Sequence, residues 1–534
     1  MDDRPPSLWS HKGLVALAVG LPVGEAAVLL SLRIDSGLSL AGQASALGPF
    51  GVFHDLRWLF VFHRSLVGFI GGVTVLLALR TVVTAALVRL AWPLDRPVPP
   101  FRRLLAWAGL ATTAGVAALW PWVTLLFGAA IVPLSWLFFA GFPPALITIL
   151  LLHHAGVTPD WWKRLPALRS LGWAAVAFLG LTVGGSVAAG RPGWAALPVI
   201  AMTGAFNAWV WQRATAAVVH RRPLARRRLV PVTVIALAGL FVVVVAGSSI
   251  GFAAFEEPDE VIPAPAAAGD GPGIVLVAGY ASACCDDADG FHEAAAGFRV
   301  EQFSYLGLDG TGSPIPHGGD ATDRDLVWLA DLLHEQVVAL AERSGAPVAV
   351  VAESEGTLIA TAMLTLHPDA PVGRLALLSP ILEPVRADFP EPGEEGPGVV
   401  AGYQLRAVME IIDQISTLPL SADGPLSTSV RRWSDVLAEA TVANRPGVEE
   451  LAVVPLADAV IGRAGAGYDI GVVVVAGFHG GLRSRADVQD LLLTWIRDGG
   501  VEGSEVLAAL DRLIAGSAAA WHVPSLGEYG DGGS

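Results

Sequence analysis

The chain has 534 residues, 53% of them apolar, and its 34 Lys and Arg against 49 Asp and Glu leave a net charge of -15. That length exceeds what one hydrophobic core fills, so two or more units are expected. The charge divides unevenly: residues 1–255 hold 20 basic against 7 acidic side chains and residues 256–534 hold 14 against 42. With no basic cluster in the acidic half, nucleic acid is excluded there as a partner.

The first half reads as an all-α transmembrane bundle. A hydrocarbon core about 30 Å thick needs roughly 20 consecutive apolar residues in a helix, and about seven stretches qualify: 13–32, 65–88, 104–127, 130–152, 170–189, 194–212 and 229–250. Arg80 interrupts the second. Short loops rich in Lys and Arg stay cytoplasmic. With the N-terminus inside, fifteen basic residues fall on the cytoplasmic side, among them Arg102, Arg103, Lys163, Arg164 and the run Arg221 to Arg228; Arg33, Arg57, Arg64 and Arg191 fall outside. Seven spans then place everything after residue 250 outside the cytoplasm. More spans follow the first one, so it is not read as a cleavable signal peptide. Glu25 and Arg80 are expected to face the bundle interior or to snorkel, because no repeated polar positions trace a transport path. Trp58, Trp120, Trp122, Trp161, Trp162 and Trp194 suit interfacial belts. Only Lys12 and Lys163 are lysines, the usage of a GC-rich bacterial coding sequence.

Residues 256–273, EEPDEVIPAPAAAGDGPG, have the Pro, Ala, Gly and acidic composition of a linker. Beyond it, at 274–515, continuous apolar strands alternate with amphipathic helices. The strands are GIVLVAGY (273–280), FRVEQFSYLG (298–307), PVAVVA (347–352), RLALLSP (374–380), ELAVVPL (450–456) and IGVVVVAGF (470–478). Helices are expected at 323–344, from 356 and at 484–497. This alternation implies a mostly parallel, doubly wound sheet covered on both faces. An irregular insertion occupies about 383–449, and 516–534 read as a disordered tail. The insertion's helical piece, Gly402 to Ile415, has one apolar face that suits an acyl pocket, a membrane surface or simple packing on the sheet.

Strand, sharp turn and helix around Ala352-Glu353-Ser354-Glu355-Gly356 have the pattern small-x-Ser-x-Gly of a nucleophile elbow. Serine needs an adjacent base, usually a His oriented by a carboxylate. Asp458 follows the strand ending near Leu456, and His479 follows the last strand, in the order Ser, Asp, His. On these residues the chain resembles the α/β-hydrolase fold over about residues 270 to 500. The resemblance implies Ser354 as nucleophile, His479 as general base and acid, and Asp458 as the orienting carboxylate. It further implies oxyanion donors in the backbone N–H of Glu355 and of Tyr280 or Ala281, and it requires neither a metal nor an organic cofactor. Many members carry His-Gly where this chain has Ala278-Gly279.

Two carboxylates beside the serine depart from the family pattern. Glu353 and Glu355 either disfavour anionic substrates, or hydrogen-bond within the turn, or point away from it. His292, His317 and His334 follow no strand end and are read as surface or loop residues, and Asp286, Asp287 and Asp289 as a solvated turn. Cys284 and Cys285 form either a vicinal disulfide or a pair of thiols. The expected activity is that of a membrane-anchored serine hydrolase, an esterase, lipase or acyltransferase working through an acyl-Ser354 on lipid or cell-envelope esters. The partners are then the lipid bilayer and an ester substrate. The alternatives are a peptidase or thioesterase with the same triad, and a non-catalytic module for binding, sensing or transport.

Overall fold

The computed structural model describes residues 11–128, 157, 168–191, 193–220, 271–285, 290–381, 395–396, 399–415, 421, 423–433, 436–437, 440, 445–456, 470–477, 479–518 and 520–521. Two expected spans, 130–152 and 229–250, the linker 256–273 up to residue 270, and Asp458 lie outside them.

The N-terminal half is helical: α1 (Lys12–Ser31), the short α2 (Leu38–Ala41), α3 (Pro49–Phe62), α4 (Leu66–Leu90), α5 (Phe101–Gly128), α6 (Leu168–Ala189) and α7 (Leu197–Val219). Among the described residues five segments are long and apolar enough to cross a membrane: Lys12–Ser31, Leu66–Leu90, Phe101–Trp120, Gly172–Ala189 and Gly193–Val219. Their apolar side chains point outward as well as inward, with Val67, Leu79, Leu110, Val183 and Met202 exposed. A soluble helix would hide such a surface; a lipid-facing one needs it.

The stretch from Leu38 to Phe62 departs from the sequence reading, which placed Arg57 in an outer loop. This stretch folds into the bundle, and Arg57 is completely buried there. Non-helical backbone buried among helices needs polar partners. The turn between α2 and α3 finds them: Asn207 Nδ2 donates to Gly42 O at 2.9 Å, Trp211 Nε1 to Ser45 O at 2.9 Å and Arg80 to Ala44 O at 2.8 Å. Arg80 does not snorkel; its guanidinium grips Asp55 with two hydrogen bonds, Nε to Oδ2 at 2.6 Å and Nη2 to Oδ1.

Among the described residues the second half builds a six-stranded sheet, all parallel, in the order β2-β1-β3-β4-β5-β6. Its strands are β1 (Gly273–Val277), β2 (Arg299–Gln302), β3 (Val348–Glu353), β4 (Val372–Leu378), β5 (Glu449–Pro455) and β6 (Gly471–Val475). Alternate residues serve opposite faces, as the two-residue period of a strand requires. Val275, Val277, Val350, Ala352, Leu375 and Leu377 pack on α9 (Leu326–Ser344) and α10 (Glu355–Leu366), while Ile274, Leu276, Val351, Leu378 and Val453 pack on α13 (Ala486–Asp498) and on Phe291 of α8 (Phe291–Ala294). Helix α9 starts where Asp325 accepts the N–H groups of Val327 and Trp328, and stops at Gly345 with φ +68°.

The insertion contributes α11 (Val399–Ile415) and α12 (Pro425–Arg432), and a closing helix α14 (Glu505–Ala518) follows α13. Two segments of this half, the insertion and the C-terminal segment, reach the bundle. Val399, Val400 and Ala401 join the bundle's apolar core, Val400 N–H donates to His63 Nε2 at 3.2 Å, and Gly396 N–H donates to Arg64 O at 2.9 Å. The expected disordered tail begins instead as ordered chain: α14 runs through Ala518, and Trp521 is buried among Phe50, Phe53 and Phe178. Its indole N–H donates to Thr182 Oγ1 at 2.9 Å, and Arg57 lies over the ring at 5.9 Å. An aromatic side chain this large gains too much from burial to stay in water when such a pocket is present.

Candidate active site

Strand β3 ends at Glu353 and α10 begins at Glu355, so Ser354 alone makes the turn. It does so at φ +53° and ψ -118°, a region that an L-residue with a Cβ enters only when the surroundings hold it. Neighbours do hold it. Ser354 N–H donates to Leu378 O at 3.0 Å, and its carbonyl accepts from Thr357 Oγ1 at 2.6 Å. Gly356 is required by the close approach of β1: a Cβ there would sit 2.5 Å from Val277 O and 2.9 Å from Ala278 O. Gly279 faces the serine from the end of β1, where an added Cβ would come within 3.1 Å of Ser354 Cβ.

Ser354 Oγ lies 2.8 Å from His479 Nε2. The two residues are 125 positions apart; what joins them is the parallel sheet, which brings the C-terminal ends of β3 and β6 to the same edge. At that distance the imidazole can take the hydroxyl proton as an alkoxide forms.

Both glutamates of the turn are buried, at 7% and 3% exposure, so neither points away into solvent. Glu353 reaches across to the loop after His479, where Oε1 accepts the N–H of Leu482 at 2.7 Å. Burial raises its pKa, opposed by the Arg483 guanidinium and by the N–H groups of Leu482 and Arg483. Glu355 is pushed further, well above the usual carboxylate range, by burial and then by the charge of Asp323. Its oxygens have no well-formed hydrogen bond among the described residues. The nearby Tyr305 hydroxyl spends its hydrogen on Ala278 O at 2.8 Å. Burial and the Asp323 charge thus both favour the protonated form of Glu355 under the turn. Sequence reasoning named both glutamates but left their direction open, because which way a turn residue points depends on what packs behind it.

Of the expected oxyanion donors, Ala281 is engaged elsewhere. Its N–H donates to Thr322 Oγ1 at 2.9 Å, and Thr322 in turn donates to Gly319 O at 2.8 Å. This lock holds Ala281 at φ +60° and fixes the loop after β1. Glu355 N–H opens α10, where the first amides have no intrahelical acceptor.

His317, expected from sequence as a surface or loop residue, is buried at 4% exposure and braces this loop. Its Nε2 accepts Tyr305 N–H at 3.1 Å while Nδ1 donates to Gly318 O at 3.0 Å, and burial lowers its pKa. Its backbone also pairs with Cys284, which is joined to Cys285 in a vicinal disulfide. His334 stacks on His367, away from this edge. Among the described residues no group of His, Cys, Asp and Glu has the arrangement of a metal site.

No protein-family model and no curated protein matches the chain. Solved structures do. The chain is similar to an extracellular α/β-hydrolase from a Paenibacillus species, at 11% identity and TM-score 0.24, over 43% of this chain and 100% of that one. It is also similar to the RedJ thioesterase of Streptomyces coelicolor, at 16% identity and TM-score 0.25, over 46% and 91%. Aspergillus fumigatus lipase B is matched at 12% identity and TM-score 0.28, over 71% and 91%.

Proposed function

We propose that the chain is a membrane-anchored serine hydrolase acting on esters, an esterase, lipase or acyltransferase working through an acyl-Ser354. The observation that carries this reading is the 2.8 Å contact between Ser354 Oγ and His479 Nε2 at a serine held in a strained turn. His479 takes the Ser354 proton as Oγ attacks the carbonyl carbon, then returns it to the leaving alcohol. Water, or an acceptor alcohol, releases the acyl group by the same steps in reverse. Asp458 is the residue assigned to orient His479. The N–H groups of Glu355 and of Tyr280 are assigned to the oxyanion; losing one such donor typically costs roughly 2.7 to 4 kcal/mol of barrier.

Location narrows the substrate. Five described helices suited to a membrane, with the start of the insertion helix α11 packed into the apolar core of their bundle, favour lipid or cell-envelope esters. The distribution of Lys and Arg favours a cytoplasmic N-terminus and an extracytoplasmic hydrolase domain.

A fluorophosphonate probe tests the reaction class on the full chain in detergent. Labelling that Ser354→Ala removes is expected; an unlabelled wild type, or labelling that persists in Ser354→Ala, overturns it.

A further inference from the structure

The helical bundle carries charged side chains that the hydrolase reaction does not use, and three of them meet at one point. His54 on α3 is 2% exposed and stands between two carboxylates. Its Nε2 lies 2.9 Å from Glu25 Oε1 on α1, and its Nδ1 lies 3.0 Å from Asp55 Oδ1.

A neutral imidazole has one N–H and one lone pair. With both carboxylates ionised, one of these two contacts would set a lone pair against an anion in a buried place, a costly arrangement. Both contacts become hydrogen bonds once the group holds one further proton, on the imidazole or on the carboxyl it faces. Trp58 does not supply it: its Nε1–H lies 3.1 Å from Glu25 Oε1 and 3.2 Å from His54 Nε2 and donates to Glu25 whenever Nε2 is protonated, which leaves the shorter Glu25–His54 contact in need of its own hydrogen.

The surroundings say where that proton sits. Asp55 already accepts two N–H groups from Arg80 on α4, which marks it as the carboxylate of the pair. Glu25 has no such cation bound to it among the described residues, and its side chain is 23% exposed against 3% for His54, so it is the less enclosed end of the cluster. The other charged group turned toward the cluster is Arg57 of α3, whose Nη2 donates to Gln43 Oε1 and whose Nε donates to Phe53 O at 3.4 Å. From α7 the nearby turn receives the uncharged Asn207.

We propose that Glu25, His54 and Asp55 form a proton-binding site in the bundle, with one exchangeable proton held between Glu25 and His54. The proton enters and leaves at Glu25, and only O–H and N–H bonds form or break. An Arg–Asp pair that merely braced the turn would be complete without His54 and Glu25. The bundle is in this respect a proton-responsive unit and not a passive anchor, whatever the hydrolase substrate.

The test is nitrogen NMR of the full chain labelled with 15N-histidine, in nanodiscs, with the His54 signal assigned by its loss in His54→Gln. An ordinary histidine titrates near pH 6.5. At about pH 7.5, one unit higher, His54 is expected to keep both ring nitrogens protonated and to become neutral in Glu25→Gln. Infrared difference spectra between wild type and Glu25→Gln follow the same proton if it rests on Glu25, where a carboxylic acid band disappears. Either signature supports the site. A neutral His54 with Glu25 ionised in the wild type overturns it, as does a proton on Asp55. Should His54→Gln fail to fold, the Glu25→Gln difference alone assigns the signal.

Discussion

Glu353 Oε1 accepts the backbone N–H of Leu482 at 2.7 Å, and this one bond ties the residue before Ser354 to the loop that carries His479. The strand that presents the hydroxyl and the loop that presents the imidazole come from distant parts of the chain. A buried carboxylate between them fixes their separation.

Replacing that carboxylate is therefore expected to disturb the pair more than the fold. Glu353→Ala leaves buried N–H donors unpaired, at a cost of about 1–3 kcal/mol. It is expected to lower kcat with KM little changed, and Glu353→Gln, which keeps an acceptor oxygen, is expected to recover part of the loss. Steady-state kinetics on a soluble ester measures this; an Ala variant with wild-type kcat contradicts it.

The raised pKa of Glu355 makes stability depend on pH. Its native pKa is raised by burial, so folding binds its proton more tightly than the unfolded chain does. The stabilisation is complete below the unfolded carboxylate value, near pH 4.3, and is lost as pH rises toward the native value, at about 1.4 kcal/mol per pH unit. Thermal unfolding followed from about pH 4 to 8 is expected to show this decline in the wild type and a flatter course in Glu355→Gln. Equal slopes in both proteins would remove Glu355 as the cause.

Two glycines at the site predict opposite outcomes. In Gly356→Ala the new Cβ meets the carbonyls of Val277 and Ala278 at 2.5 and 2.9 Å, and backbone cannot move aside cheaply. A loss of about 1–3 kcal/mol or more is expected, read as a lowered unfolding midpoint. In Gly279→Ala the nearest atom is Ser354 Cβ at 3.1 Å, so the protein is expected to fold and to lose turnover. A Gly356→Ala protein as stable as wild type would show that β1 and α10 separate more easily than their contact implies.

Trp521 fastens the end of α14 to the bundle. Removing a buried Trp side chain costs about 3–5 kcal/mol, so Trp521→Ala is expected to free the segment. Limited proteolysis in detergent reads the release as new cleavage after residue 505, with the bundle intact. Unchanged resistance would mean that the contacts of α14 hold the segment without its anchor.

Much of this protein was legible along the chain. The apolar segments, the six strands and the Ser-x-Gly turn are local patterns, because helix length, strand period and the need for a small residue at a tight crossing are written in neighbouring residues. Reading in chain order also placed His479 at a strand end, where the sheet brings it 2.8 Å from Ser354. The burial of Glu353 and Glu355, the engagement of Ala281 by Thr322, the inward folding of Leu38 to Phe62 and the docking of Trp521 were not legible. Each is a pairing between segments far apart in sequence, such as Gln43 Nε2 with Ala520 O across 477 positions. A polar side chain in a sequence shows what it can bond; which bond it makes is decided only when packing removes water and leaves one partner within reach.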